Sequence, residues 1–265
     1  MSVNTHLTNT ASQIIITDAE RTAIDKNIDS LSGKLTAYFN QGQIKQRLAF
    51  GSYTRKTLMP RKADDHSDVD YMVVFDTSTY TYNPDTYLRW LREFAVAKYA
   101  TTEIYPSHPA VVLELSRIKI ELVPAIKTVY GDDYQIPAPS SSYSKWLTTH
   151  PNSFNSQVAS KNTSEKSLIR PMIRLMKYWN AKNDYPYTSY ELEQLIVNQF
   201  YSSCNSLWDY IYMFVGNLIT YNLSSTAATN KVTRLKRICA DAKALEASGS
   251  VIAAESKIVE AFPVY

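Results

Sequence analysis

The stretch Ser67-Asp68-Val69-Asp70-Tyr71-Met72-Val73-Val74-Phe75 decides how this chain is read. Two aspartates one residue apart open an apolar run. Alternate residues of a strand share a face, so a strand here turns Asp68 and Asp70 to one side and Val69 and Tyr71 to the other. Crowded carboxylates repel, and the edge of a buried strand adds a desolvation cost. A divalent cation removes both penalties, and Mg²⁺ is characteristically held by one or two carboxylates together with substrate phosphates. A bare Asp-x-Asp also reads as two solvated aspartates capping a strand. Its neighbours decide between the two.

Upstream, Ile44-Lys45-Gln46-Arg47-Leu48-Ala49-Phe50 alternates like a strand and runs into Gly51-Ser52. The chain has only six glycines, so each is expected where the backbone needs one. A Gly-Ser at a strand exit makes a sharp turn and can aim backbone N–H groups and a hydroxyl at a phosphate. Alone it is an ordinary turn. Downstream, Ile118-Lys119-Ile120-Glu121-Leu122-Val123-Pro124-Ala125 is another strand pattern with Glu121 intruding. By itself Glu121 reads as an edge-strand charge facing water. Beside the Asp-x-Asp it supplies a third carboxylate for a two-metal site.

Gly-Ser, Asp-x-Asp opening an apolar strand, and a later strand reading carboxylate-Leu-Val-Pro-Ala together resemble the DNA polymerase β-like nucleotidyltransferases. Within that superfamily the chain is most similar to the bacterial cGAS/DncV-like nucleotidyltransferases of antiphage signalling. The resemblance continues in Leu175-Met176-Lys177-Tyr178-Trp179-Asn180 and Thr188-Ser189-Tyr190-Glu191-Leu192-Glu193, and spans roughly residues 45 to 200. Glu121 departs from the pattern, standing where the family usually has Asp. The resemblance implies that Asp68, Asp70 and Glu121 hold Mg²⁺ or Mn²⁺. It also implies that Gly51, Ser52, Lys177 and Ser189 bind the nucleotide, and that the product is a cyclic di- or trinucleotide acting on a downstream antiviral effector. Substrates would be NTPs: ATP, GTP, UTP or CTP. Two other readings share these residues. One is a nucleotidyltransferase that modifies a tRNA end, a protein or an antibiotic. The other is a catalytically weak nucleotide-binding regulator.

Composition agrees with a compact enzyme. The 265 residues are 45% hydrophobic, enough for one large core or two small ones. A formal charge of +3 and a pI near 8.6 are too mild for a long nucleic-acid footprint, so anion binding is expected to be local. Cys204 and Cys239 form no disulfide framework and no zinc spacing with the four histidines, which suits a reducing cytoplasm. Residues 1–13 are polar, without an apolar signal core, and no window reaches the length of a membrane span.

The expected fold is α+β: a polymerase β-like lobe with a small mixed sheet over residues 1–139, packed on a helical lobe over 140–265, with the active site in the cleft between them. Thr17-Asp18-Ala19-Glu20 reads as a capping box, with Ile24, Ile28, Leu31 and Leu35 continuing a helix to about Phe39. Strands are expected at 44–50, 69–75, 110–115 and 117–123, and a helix after Asn83-Pro84-Asp85 with Leu88, Leu91, Phe94 and Ala95 on one face. Pro and Ser punctuation at 137–144 marks the junction. Helices are then expected at about 142–149, 163–182, 189–203, 207–221, 230–247 and 250–261. Lys166, Arg170, Arg174 and Lys177 fall on one face of the second of these. Lys166 and Arg170 read as a solvated basic face, and Lys177, by the resemblance, as the triphosphate contact. Ser189 reads as a phosphate donor, a helix N-cap, or both.

Overall fold

A computed structural model describes residues 1–79, 81–100, 102–107, 110–115, 118–128, 133–138, 145–221, 223 and 225–265. These residues gather into two units, each assembled from separate stretches of chain. One comprises Thr17–Lys56 and Ser67–Ser156, the other Met1–Ile16, Thr57–His66 and Gln157–Tyr265. This grouping differs from a single cut between 139 and 140, and most of the Pro- and Ser-rich junction, from 139 to 144, lies outside the described residues.

The sheet unit opens with α2 (Asp18–Tyr38). Its capping box forms as expected: the Thr17 hydroxyl accepts from the Glu20 N–H at 3.1 Å, and the Glu20 carboxylate accepts from the Thr17 N–H at 2.7 Å. There follow β1 (Ile44–Phe50), α3 (Gly51–Arg55), β2 (Val69–Phe75), α4 (Pro84–Lys98), β3 (Glu103–Ser107), β4 (Ala110–Glu114), β5 (Lys119–Lys127), β6 (Tyr134–Pro137) and β7 (Trp146–Thr149). The sheet runs β1-β2-β5-β4-β3, with β6 added to β5 and β7 to β6. Among the described residues only β2 and β5 pair in parallel, so the sheet is mixed.

Both faces of the sheet are covered. Phe75 packs in an aromatic group with Phe39 (ring centroids 5.5 Å apart), Tyr87 (4.9 Å) and Trp90 (5.7 Å), which seats α4 on that face. Leu88, Leu91, Phe94 and Ala95 are all buried, as the helix spacing required. On the opposite face Met72, Val74, Ala125 and Tyr134 pack with Leu48, Phe50 and Ile136. Asp70 and Glu121 belong to this second face by the two-residue strand period.

One expected element changes type. Residues 146–149 form β7 rather than the end of a helix over 142–149, and residues 142–144 lie outside the description. The register Tyr134↔Thr149 through Pro137↔Trp146 supplies ladder bonds to a Trp-Leu-Thr-Thr run whose own preference is for strand.

The helical unit contains α1 (Val3–Gln13), the C-terminal part of α5 (Pro151–Ser164), α6 (Ile169–Lys182), α7 (Ser189–Asn198), α8 (Leu207–Asn217), α9 (Thr226–Ala247) and α10 (Val251–Val259). The continuous helix expected over 163–182 is broken after Ser164, with Lys166 and Ser167 at φ 54° and 62°. Pro171 is the reason. Inside a longer helix its ring would clash with the carbonyl four residues back, whereas a helix starting at Ile169 carries it in the first turn.

The polar N-terminal segment proved to be structural. α1 buries Val3, Leu7 and Ala11 against α6, α8 and α10. The His6 ring nitrogen lies 2.7 Å from the Phe262 carbonyl, and Asn4 accepts from the Trp208 N–H at 3.2 Å. Among the described residues no helix is long and apolar enough to cross a membrane.

Leu7 is fully buried, so Leu7→Ala should lower stability by about 2–5 kcal/mol in denaturant titration. A loss below about 0.5 kcal/mol, the range of ordinary surface substitutions, would show that α1 is not part of the core.

Candidate active site

The β2–β5 pairing places the first carboxylates. In the parallel register Asp70 stands beside Glu121, and Val69 beside Ile120. Glu121 is not on an edge: β5 lies between β2 and β4, where Glu121 faces Val112. The edge-strand reading of Glu121 is therefore ruled out by position. A carboxylate in a central strand beside another carboxylate is unfavourable without a counter-charge.

That counter-charge is Lys119. It shares the Glu121 face of β5, two residues back, and its ammonium lies 3.2 Å from Glu121 Oε1 and 3.7 Å from Asp68 Oδ2. The lysine side chain is 13% exposed, with Glu121 at 16% and Asp68 at 25%. Such partly desolvated charges are screened far less than surface pairs. Asp68 itself precedes β2 and sits half-buried after Ser67. The Ser67 hydroxyl is buried and makes no hydrogen bond.

Gly51 is required by the same site. It opens α3 at φ +71°, and a Cβ built on it would lie 1.8 Å from Asp70 Oδ2. Phe50 pairs with Asp70 across β1 and β2, so the strand exit passes directly beside the carboxylate. A side chain at 51 would meet both a backbone penalty and a steric one. Ser52 follows, buried, in the first turn of α3. Within this unit the structure thus sets Asp68 and Glu121 on Lys119, Asp70 beside Glu121, and Gly51 against Asp70.

All the acidic donors are hard carboxylate oxygens, the ligand type that Mg²⁺ and Mn²⁺ select. Among the described residues no group of three His, Cys, Asp or Glu side chains is already drawn together as a metal site. The ammonium of Lys119 provides the positive charge between Asp68 and Glu121. With the orphaned Ser67 hydroxyl alongside in sequence, the donor chemistry fits a divalent ion.

The helical unit holds Lys177 and Ser189. Lys177 is only 4% exposed, and its ammonium lies 3.5 Å from the fully buried Glu193 carboxylate and 3.4 Å from the Thr57 carbonyl. Thr57, also fully buried, donates its hydroxyl to Glu193 at 2.7 Å. Sequence reading missed this network, although Glu193 stood in the quoted motif. Asn180, 1% exposed, ties α6 to the approach of α7: its amide donates to the Tyr187 carbonyl at 2.8 Å and its oxygen accepts the Tyr187 N–H at 3.1 Å. Ser189 is the first residue of α7 but not its cap. Thr188 is the cap, accepting from the Glu191 N–H at 3.2 Å, which leaves the Ser189 hydroxyl outside that role.

The basic row is dismantled. Lys166 lies in the break between α5 and α6, donating to Asn205 at 2.8 Å. Arg174 is 7% exposed, and burial, followed by the Arg170 charge, pulls its guanidinium down to about 10. Lys166 thus falls outside α6, which starts at Ile169, and does not share one helix face with Arg170, Arg174 and Lys177. In the same unit Tyr185 donates its hydroxyl to Asp64 at 2.7 Å and Asp65 at 2.8 Å, with its ring stacked on His66. Burial, then those two hydrogen bonds, pushes the Tyr185 hydroxyl well above its usual range.

Comparison with known proteins follows the same outline. The second messenger oligonucleotide or dinucleotide synthetase domain matches residues 1–162. A Bacillus cereus (strain VD146) protein described as a "Probable cyclic nucleotide synthase" is 27% identical over 191 residues, 59% of this chain and 56% of that protein. The match thus spans little more than half of that relative's length. Among solved structures, CdnC of E. coli MS115-1, determined with ATP, superposes with a TM-score of 0.75 at 11% identity, covering 99% of this chain and 98% of that one. The Bradyrhizobium diazoefficiens CD-NTase CdnG, determined in complex with GTP, gives 0.71 at 11%, with 98% of each chain covered. Likeness at such identity establishes the fold.

Two outcomes follow from the geometry. Gly51→Ala should displace the Asp70 carboxylate and cost about 1–3 kcal/mol from backbone strain alone, read by denaturation. An unshifted midpoint would contradict the contact. Lys177→Met removes the ammonium beside buried Glu193 and should cost about 3–5 kcal/mol, whereas Lys177→Met combined with Glu193→Leu should recover much of it. If the single variant is as stable as wild type, the buried pair carries no weight.

Proposed function

We propose that this chain, which belongs to the second messenger oligonucleotide or dinucleotide synthetase family, is a nucleotidyltransferase that joins NTPs into a cyclic di- or trinucleotide. The observation that carries this reading is the placing of the three carboxylates: Asp70 beside Glu121 in parallel register, Asp68 and Glu121 bridged by the Lys119 ammonium, and Gly51 pressed against Asp70.

In the reaction an acceptor hydroxyl attacks the α-phosphorus of an NTP, a P–O bond forms, and the bond to the β-phosphate breaks with release of pyrophosphate. Asp68, Asp70 and Glu121 would hold Mg²⁺ or Mn²⁺. Bound there, the divalent ion supplies the charge that activates the acceptor oxygen and neutralises the departing pyrophosphate. The chain's own part is positioning. Gly51 lets the backbone pass close to Asp70, and Ser52 offers its hydroxyl to the phosphates. In the helical unit, Ser189 presents a hydroxyl at the start of α7, where the helix end favours anions. Lys177 adds positive potential from its buried place and holds Glu193.

The family resemblance makes the acceptor a second nucleotide and the product a second messenger for an antiviral effector. The mild charge of +3 favours short nucleotides over a long polyanion, which would need many phosphate contacts. Buried thiols at Cys204 and Cys239 suit a reducing cytoplasm.

The test is incubation of the purified protein with each labelled NTP, alone and in pairs, with Mg²⁺ or Mn²⁺, then phosphatase. A short phosphatase-resistant product is expected from NTPs alone, and Asp70→Asn should lower its formation by more than ~100-fold, since even an outer-shell loss costs ~10–100-fold. Label transferred only to added tRNA, protein or drug would sink the second-messenger reading. Unchanged turnover in Asp70→Asn would sink the carboxylate assignment.

A further inference from the structure

Lys119 has no place in the chemistry just described, yet it forms ion pairs with two of the carboxylates. Its ammonium bridges Glu121 Oε1 at 3.2 Å and Asp68 Oδ2 at 3.7 Å, and its side chain is only 13% exposed. Across the β4–β5 ladder it also stands opposite Glu114. The stem is fixed at the start of a central strand, so the ammonium cannot leave the neighbourhood; it can only swing on four rotatable bonds.

An ammonium and a divalent ion cannot share one pair of carboxylates without repulsion. At the short separations involved, two like-signed ions in a partly desolvated site repel by several times the thermal energy. The carboxylates, without any cation, would repel one another just as firmly. The resting protein therefore gains from Lys119, and metal binding is opposed by it.

We propose that Lys119 is a tethered counter-ion that holds Asp68 and Glu121 in the metal-free protein and must withdraw before a divalent ion binds. It thereby sets the cation concentration at which the site becomes loaded. The withdrawn ammonium is then free to meet the polyphosphate arriving with the metal. This rests on the metal reading above, and it assigns to one residue of this chain a control over loading rather than a share in bond making.

The test measures Mn²⁺ binding by calorimetry or by the electron paramagnetic resonance of free Mn²⁺, without nucleotide. Wild type is compared with Lys119→Met, Lys119→Gln and Lys119→Arg, and with Asp70→Asn as the control for the site. Thermal unfolding is followed in parallel with EDTA and with saturating Mn²⁺. Lys119→Met and Lys119→Gln should bind Mn²⁺ roughly tenfold or more tightly than wild type. They should melt lower than wild type in EDTA and gain more from Mn²⁺, while Lys119→Arg keeps wild-type affinity. Unchanged or weaker Mn²⁺ binding in both neutral variants, with wild type still binding at a site that Asp70→Asn removes, overturns the inference and leaves the metal reading standing. Binding that Asp70→Asn does not affect, or no binding in any variant, overturns both.

Discussion

The parallel pairing of β2 with β5 is the constraint on which this structure depends. It places Asp70 beside Glu121 in the middle of a sheet, an arrangement that electrostatics alone would reject. The carboxylates are held there by what lies further along the same strands. Met72, Val74 and Ala125 continue the carboxylate face into a buried cluster, while Phe75 on the other face packs among Phe39, Tyr87 and Trp90. A one-residue slip of either strand would turn the apolar set to the wrong side, so the register is fixed by burial and the acidic pair is carried with it. A site of poor intrinsic stability is thus maintained by packing a few residues away.

Lys119 makes the arrangement tolerable. The strand period that aims Glu121 at Asp70 also aims Lys119 from two residues back, so the counter-ion comes from the same local rule as the charge it balances. Its ammonium offsets part of the charge of Asp68 and Glu121. In the other unit an analogous balance is struck around Glu193. There Lys177 and Thr57 both meet the Glu193 carboxylate, which helps a fully buried acid persist in a helical core.

Much of the sheet unit was legible in the sequence because its signals are local. The capping box at Thr17, the alternation through β1 and β2, and the Asn83-Pro84 helix start each reside in a few contiguous residues and need no tertiary partner. Elements that depend on partners were not legible. Trp146–Thr149 is a strand because β6 lies beside it, and α1 packs inward through Val3, Leu7 and Ala11 with the polar His6 and Thr10 buried among them. Pro171 carries a readable signal: a proline at the ninth position of an expected twenty-residue helix argues for a start just before it.

The candidate site divides along the same line. Asp68, Asp70, Glu121 and Gly51 were found because spacing and residue type announce them. Gly51 turns out to be needed less for the turn than for the 1.8 Å that any Cβ would leave to Asp70. Lys119 carries no such signal, since a lysine at a strand start looks like ordinary solvated punctuation. Its meaning depends on where Asp68 lies in space, and no pattern within residues 118–125 encodes that. Lys177 shows the converse: its motif was visible, but its partners Thr57 and Glu193 lie 120 and 16 residues away in sequence. Charge balance in both units is therefore the property least visible in one dimension, because an ion pair is defined by the meeting of two segments and neither segment alone contains it.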